Sequence, residues 1–249
     1  MSQWLLQAER KLNKKASFIC LPYAGGSSSS FRHWGKKIPD FLELSVAELP
    51  GRNQRFGEPF VSDIEQVVES LYQSLKTLGD APVFIFGHSL GCLIAYELCL
   101  KCYQDCQNIS VKGLIVSGKM APHLAARERK IHKVGPQEFR RLISEYEGMP
   151  KEVLENQELF DFVEPRLRSD FELSENYQSK KEIQQVNCPI MGMAGTLDKH
   201  ASPDSVAKWQ QYTCNEFSMK AITGGHFFIK EQEDVVIKEI TRFISDLIC

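Results

Sequence analysis

A serine, a carboxylate and a histidine, each set behind a run of apolar residues, are the groups in this sequence able to carry a reaction. The serine is Ser89, at the centre of Gly87-His88-Ser89-Leu90-Gly91. The apolar run Val83 to Phe86 precedes it, and Cys92-Leu93-Ile94-Ala95-Tyr96-Glu97-Leu98 follows. A buried strand, a sharp turn and an apolar helix are the setting of a nucleophile elbow. The flanking glycines fit that setting, because side chains there would strike the neighbouring strand and helix. The pattern by itself is only moderately specific, since a glycine-rich turn whose serine caps the next helix reads the same way. Partners elsewhere in the chain must decide.

Two later stretches offer them. Asp198 follows the strand-like run Pro189-Ile190-Met191-Gly192-Met193-Ala194-Gly195 behind Thr196-Leu197, and His226 follows the run Glu216 to Ile222 behind Gly224-Gly225. Nucleophile, then acid, then histidine, each at the carboxyl end of a strand, is the order of a hydrolase triad. Asp204 lies on the same loop as Asp198; Asp198 is preferred because it comes directly after the strand. His33, His88, His123, His132 and His200 lack such a position and read as structural or solvated. With this set, His226 takes the Ser89 proton, Asp198 holds the tautomer, and Ser89 attacks an acyl carbonyl. The oxyanion needs two N–H donors. Leu90 follows the nucleophile, and the early loop Tyr23-Ala24-Gly25-Gly26 brings a second backbone donor, placed at Ala24. The Gly-Gly-Ser-Ser-Ser-Ser run that continues this loop has linker composition, but it sits too near the first strand to join two domains.

These groups need a scaffold, and the remaining pattern supplies one. Ser17 to Pro22, Leu44 to Leu49, Val83 to Phe86 and Val111 to Ser117 read as strands, with helical segments between them. One such helix opens at Ser62, with Glu65 at the capping-box position, and carries the stripe Ile64, Val67, Val68, Leu71, Leu75 and Leu78. A helix around Ser205 to Tyr212 and a terminal one from about Asp234 to Leu247 complete the alternation. Strand–helix alternation of this kind specifies an α/β fold: a mostly parallel central sheet with helices on both faces, as in α/β-hydrolases. The rhythm breaks between about 118 and 186, where the chain is charged and helical in character. An insertion of that length reads as a lid within one domain spanning 1–249. Its apolar positions, among them Phe160, Leu167 and Phe171, either line a substrate channel or hold the lid helices to one another and to the core.

Composition narrows the classes. The chain has 249 residues, 43% hydrophobic, with a formal net charge of -2, so one sizeable core is expected and neither nucleic acid nor an anionic membrane is. No segment approaches a transmembrane span, and the amino terminus lacks a signal-peptide core, so a cytoplasmic location and a monomer are expected. Of eight cysteines, Cys99, Cys102 and Cys106 cluster on the helix after the elbow. No second Cys/His pair stands at ligand spacing, so free thiols are expected, with no metal and no cofactor.

Several motifs together resemble those of the type II (editing) thioesterases that accompany non-ribosomal peptide and polyketide synthases, and more distantly the medium-chain thioesterases of animal fatty-acid synthesis. They are Leu21-Pro22-Tyr23-Ala24-Gly25-Gly26, Leu49-Pro50-Gly51-Arg52, the elbow, Glu155-Asn156-Gln157-Glu158-Leu159, Pro165-Arg166-Leu167-Arg168-Ser169-Asp170, Gly195-Thr196-Leu197-Asp198 and Gly224-Gly225-His226-Phe227. The resemblance implies a nucleophile at Ser89, an acid at Asp198, a base at His226 and oxyanion donors at Ala24 and Leu90. It departs from the family at Leu90, more often Met, and at Cys92, more often a small residue, which raises the possibility of an altered pocket beside the nucleophile. It further implies hydrolysis of acyl or aminoacyl thioesters on the phosphopantetheine arm of carrier domains, removing groups that stall an assembly line. Carrier domains are acidic as a rule, and Arg127, Arg129, Lys130 and Lys133 offer a surface for one unless they are simply a solvated run. A chain-releasing fatty acyl thioesterase, a general carboxylesterase and a catalytically dead binding module are the rival readings.

Overall fold

Each hydrophobic run becomes a strand of one sheet, and the computed structural model describes residues 3–105, 109–124, 130–146, 148–179 and 182–248. The strands are β1 (Leu5–Gln7), β2 (Ala16–Leu21), β3 (Leu42–Ala47), β4 (Val83–His88), β5 (Val111–Ser117), β6 (Ile190–Gly195) and β7 (Phe217–Ile222). They lie in the order β1-β3-β2-β4-β5-β6-β7. All neighbouring pairs are parallel except β1 with β3. Every residue of β2, β4 and β6 is buried, which explains why these strands read as unbroken apolar runs.

Side chains alternate across the sheet and divide the core in two. Ile19, Leu21 and Ile85 face a layer that contains Val67 and Leu71 of α1 (Ile64–Leu75) and Leu93 and Leu98 of α2 (Leu90–Gln104). Phe18, Cys20, Phe84 and Phe86 face the opposite way, towards Phe31, Trp34 and the buried stripe Val236, Ile237, Ile240 and Ile244 of the terminal helix (Glu233–Ile248). Burying a side chain of this size stabilises the fold by roughly 1.5–3 kcal/mol relative to exposure, so the two layers hold the sheet rigid at its centre.

Between β5 and β6 the chain leaves the sheet. The described residues there form α3 (Pro136–Ser144), α4 (Lys151–Glu155) and α5 (Gln157–Asn176). Asn156 separates the last two, and its side chain accepts the Leu159 N–H at 3.1 Å as the cap of α5. Phe139, Ile143, Phe160 and Leu167 make a third, separate cluster in this insertion.

Three local expectations shift. The cap of α1 is Asp63, which accepts the Glu65 N–H at 2.9 Å, and not the adjacent Ser62. The polar leader holds a strand, β1, whose Leu5 is buried against the sheet and pairs with Ala47. The helix expected over 205–212 is α6 (Pro203–Ala207) followed by a tighter 3-10 turn over Lys208–Tyr212. After β7 come α7 (Phe228–Glu231) and α8 (Glu233–Ile248).

Candidate active site

Parallel register brings the carboxyl ends of the central strands to one edge: Leu21 pairs with Gly87, His88 with Ser117, and Gly195 with Ile222. Loops that leave this edge therefore converge, as in other open parallel sheets. Ser89 stands at the β4–α2 junction with φ 53° and ψ -117°, a left-handed conformation that costs a residue with a Cβ about 1–3 kcal/mol. The glycines beside it are obligatory. A Cβ on Gly87 would lie 2.3 Å from the Gly91 carbonyl oxygen, and one on Gly91 would lie 2.1 Å from that of Leu21. The turn thus closes against the start of α2 and against β2, with Ser89 at its apex.

His226 follows β7, and its Nδ1 is 2.8 Å from Asp198 Oδ2. Both residues are only 5% exposed. The other carboxylate oxygen of Asp198 accepts the N–H groups of His200 at 2.8 Å and Ala201 at 3.1 Å. Burial pushes the Asp198 pKa up, but the bond to His226, its charge and the two backbone donors outweigh this and hold the carboxyl below its ordinary value. Asp204 is exposed at the start of α6 and makes no such contact. The acid facing His226 is Asp198.

Ser89 and His226 both line a cavity of about 430 Å³ between the strand ends and the insertion. Ala24, Leu90, Leu167 and Phe171 line it as well. Phe160 does not: it is 1% exposed and packs with Phe139 inside the insertion's own cluster, so its place is structural. Among the described residues nothing accepts from the Ala24 N–H. Leu90 is the first residue of α2, where an α-helix leaves N–H groups without intrahelical acceptors. Cys92 is buried beneath the elbow, with its thiol donating to the Gly87 and Ser117 carbonyls at 3.0 and 3.2 Å. Burial pushes its pKa up to about 12, so it stays a thiol, and it does not line the cavity.

Three features of the site had no assigned role in the sequence. His88 is wholly buried, its Nδ1 2.9 Å from Ser117 Oγ, and its ring centre is 5.2 Å from that of His226. Burial, followed by repulsion from His226 and Lys230, drives its pKa well below the usual histidine value, so a neutral ring lies against His226. Tyr146 stacks flat on His200 at 3.8 Å and meets the His226 ring edge-on at 5.6 Å. The third is a clasp. Asp170 of α5 pairs with Arg52 through both oxygens, at 2.8 and 3.0 Å, and accepts the Gly25 N–H at 2.6 Å. Arg52 also donates to the Gly26 carbonyl at 2.7 Å. Both ends of the clasp lie in motifs, Pro-Gly-Arg and Leu-Arg-Ser-Asp, but their sequence offers no reason to pair them.

Of the basic run, Arg127 and Arg129 lie outside the described residues. Lys133 is exposed, and Lys130 donates to Asn176 Oδ1 at 2.8 Å. Cys99 and Cys102 are buried free thiols, and Cys106 lies outside the described residues. No helix among the described residues is long and apolar enough to cross a membrane.

Known proteins resemble this chain in sequence and fold. The family model described as thioesterase domain matches residues 17–246. The gramicidin S biosynthesis protein GrsT of Aneurinibacillus migulanus is 31% identical over 238 residues, covering 96% of this chain and 92% of its own. A probable anguibactin biosynthesis thioesterase of Vibrio anguillarum, AngT, is 30% identical over 245 residues, 96% of each chain. The solved structure of YbtT, a type II thioesterase from the yersiniabactin non-ribosomal peptide and polyketide pathway, superposes with a TM-score of 0.87 at 29% identity, over 99% of this chain and 100% of that one. The chain belongs to the thioesterase family: it is a thioester hydrolase on the α/β-hydrolase fold, akin in sequence and structure to the type II thioesterases of non-ribosomal peptide and polyketide pathways.

Proposed function

We propose that Ser89, His226 and Asp198 are the catalytic triad, and that the enzyme clears acyl or aminoacyl groups from the phosphopantetheine arm of carrier proteins in a peptide or polyketide synthase. One observation carries this reading: the Asp198–His226 pair, 2.8 Å apart and shielded from water, faces the same cavity as the elbow serine. His226 accepts the hydroxyl proton as Ser89 attacks the thioester carbonyl, and Asp198 stabilises the imidazolium that forms. The N–H groups of Ala24 and Leu90 receive the oxyanion. A thiolate leaves readily, so His226 has little acid work to do in that step. Water, with the same histidine as base, then releases the acid from Ser89.

In this proposal the segment from about 118 to 186 is a lid within one domain. Leu167 and Phe171 form its wall of the acyl channel, and the run at Lys130 and Lys133 meets an acidic carrier. The enzyme works in the cytoplasm as a monomer. The test compares turnover of acyl groups on carrier proteins with turnover of the matching oxygen esters, over short and long chains. Preference for short acyl and aminoacyl carrier thioesters is expected. Equal rates on oxygen esters would favour a carboxylesterase, and preference for long fatty acyl chains would favour chain release.

A further inference from the structure

Arg166 lies on α5, four residues before Asp170, and lines the cavity with Ser89 and His226. Among the described residues its guanidinium has no ion pair and no hydrogen bond, and its Nε is sealed from solvent with nothing to donate to. The acids that act on it electrostatically are Asp170 and Glu48. Both oxygens of Asp170 are taken by Arg52, and Glu48 Oε2 is taken by the Ser28 N–H and Asn53. Glu48 Oε1 is buried without a partner, yet no bond joins it to Arg166. Burial, and then the charge of Arg52, lower the Arg166 pKa. A half-buried cation with no counter-ion is costly to keep.

Among the described residues that line the cavity, cations also outnumber anions. Lys119, Lys199 and Lys230 line it, against Glu175, which is engaged by His132. Lys230 stands 4.6 Å above the Phe227 ring and donates to the Gly148 carbonyl. An uncharged acyl chain has no use for such a field. A guanidinium fork matches a carboxylate or a phosphate through two parallel bonds. We infer that Arg166 is a binding residue for an anionic group of the substrate: a carboxylate at the end of the acyl chain or the phosphate of the pantetheine arm.

This rests on the function proposed above, and the test separates the two. Two matched pairs of thioesters are compared: glutaryl with pentanoyl on N-acetylcysteamine, and pentanoyl on phosphopantetheine with pentanoyl on pantetheine. The readout is the ratio of kcat/KM within each pair, for the wild type, Arg166→Gln and Arg166→Lys. A ratio taken within one protein is insensitive to partial misfolding. The wild type is expected to prefer the anionic member of one pair by about 10- to 100-fold. Arg166→Gln should abolish that preference and Arg166→Lys should keep part of it; the pair affected identifies the anion. Ratios in Arg166→Gln equal to those of the wild type would overturn the inference, whatever happens to the overall rate, and would leave Arg166 balanced only by the field of Asp170 and Glu48. Calorimetry with amide analogues of the same compounds reads the preference without turnover. Loss of preference there in Arg166→Gln supports the inference even if the triad assignment fails.

Discussion

The floor and the roof of the cavity are built on different principles. In the floor, backbone geometry does the placing: the turn angle of Ser89, the two closely packed glycines beside it, and an Asp198 held by the His200 and Ala201 N–H groups. In the roof, side chains do the placing. Phe139, Ile143, Phe160 and Leu167 hold the insertion together, and the Arg52–Asp170 pair clasps it to the loop of Gly25 and Gly26. The lesson is that changes in the floor should alter rate without altering stability. Changes in the roof should alter both, or alter preference alone.

The floor gives the sharpest contrast. Ser89→Ala is expected to lose turnover by a factor on the order of 10⁶, with Asp198→Asn losing on the order of 10⁴. Neither removes a packed apolar group, so thermal melting should move little. Steady-state rates on an acyl-carrier thioester check the first point and calorimetric melting the second. Substantial activity in Ser89→Ala would dissolve the distinction, because the serine would then be a helix-start residue only.

Ala24→Pro comes next. It deletes the N–H assigned to the oxyanion and should lower kcat by about 10²–10³. Melting of the variant tells loss of a donor from distortion of the loop, and an unchanged kcat would place the oxyanion elsewhere. The loop that carries Ala24 was legible early because a glycine-rich run behind a buried strand permits close approach of backbone. The strands were legible for a related reason: β2, β4 and β6 are buried on both faces, so local composition alone reports them. The strand β1 was not, because three residues in a polar leader acquire their pairing only from Ser45, Val46 and Ala47, far away in sequence. At α1, Ser62 and Asp63 both qualify as caps, and one residue of chain direction decides between them. The clasp was invisible for a deeper reason: Arg52 and Asp170 are 2% and 1% exposed, and nothing in a linear pattern tells a buried charge from a solvated one.

That clasp supplies the third test. Asp170→Asn leaves Arg52 buried without a counter-charge, which costs about 3–5 kcal/mol of stability, and frees the Gly25 N–H from its carboxylate. Turnover should fall too, by roughly ten-fold or more, if Gly25 helps to set the donor at Ala24. Replacing the pair together, as Arg52→Met with Asp170→Leu, should recover much of the stability and leave the rate low. Denaturant unfolding and kcat, measured on the same preparations, separate the two effects. Recovery of both would make the clasp purely a matter of folding.

The smallest effect is the one that divides the roof itself. Phe160 and Phe171 both sit on α5, yet Phe160 is sealed within the insertion, while Phe171 lies edge-on to Phe139 and Tyr146 and reaches the cavity. An apolar stripe on a helix cannot say which of its members touches a ligand, because packing and lining require the same residue types. Phe160→Ala should therefore cost about 3–5 kcal/mol in stability, with little change in the ratio of kcat/KM between short and medium acyl chains. Phe171→Ala should do the reverse, melting close to the wild type and shifting that ratio by roughly ten-fold, since enlarging an apolar pocket changes chain discrimination on that scale. Parallel melting curves and a chain-length series on both variants check it. If Phe160→Ala moves the ratio as far as Phe171→Ala, the cluster under the roof transmits its packing to the channel, and the two halves of the insertion are one element.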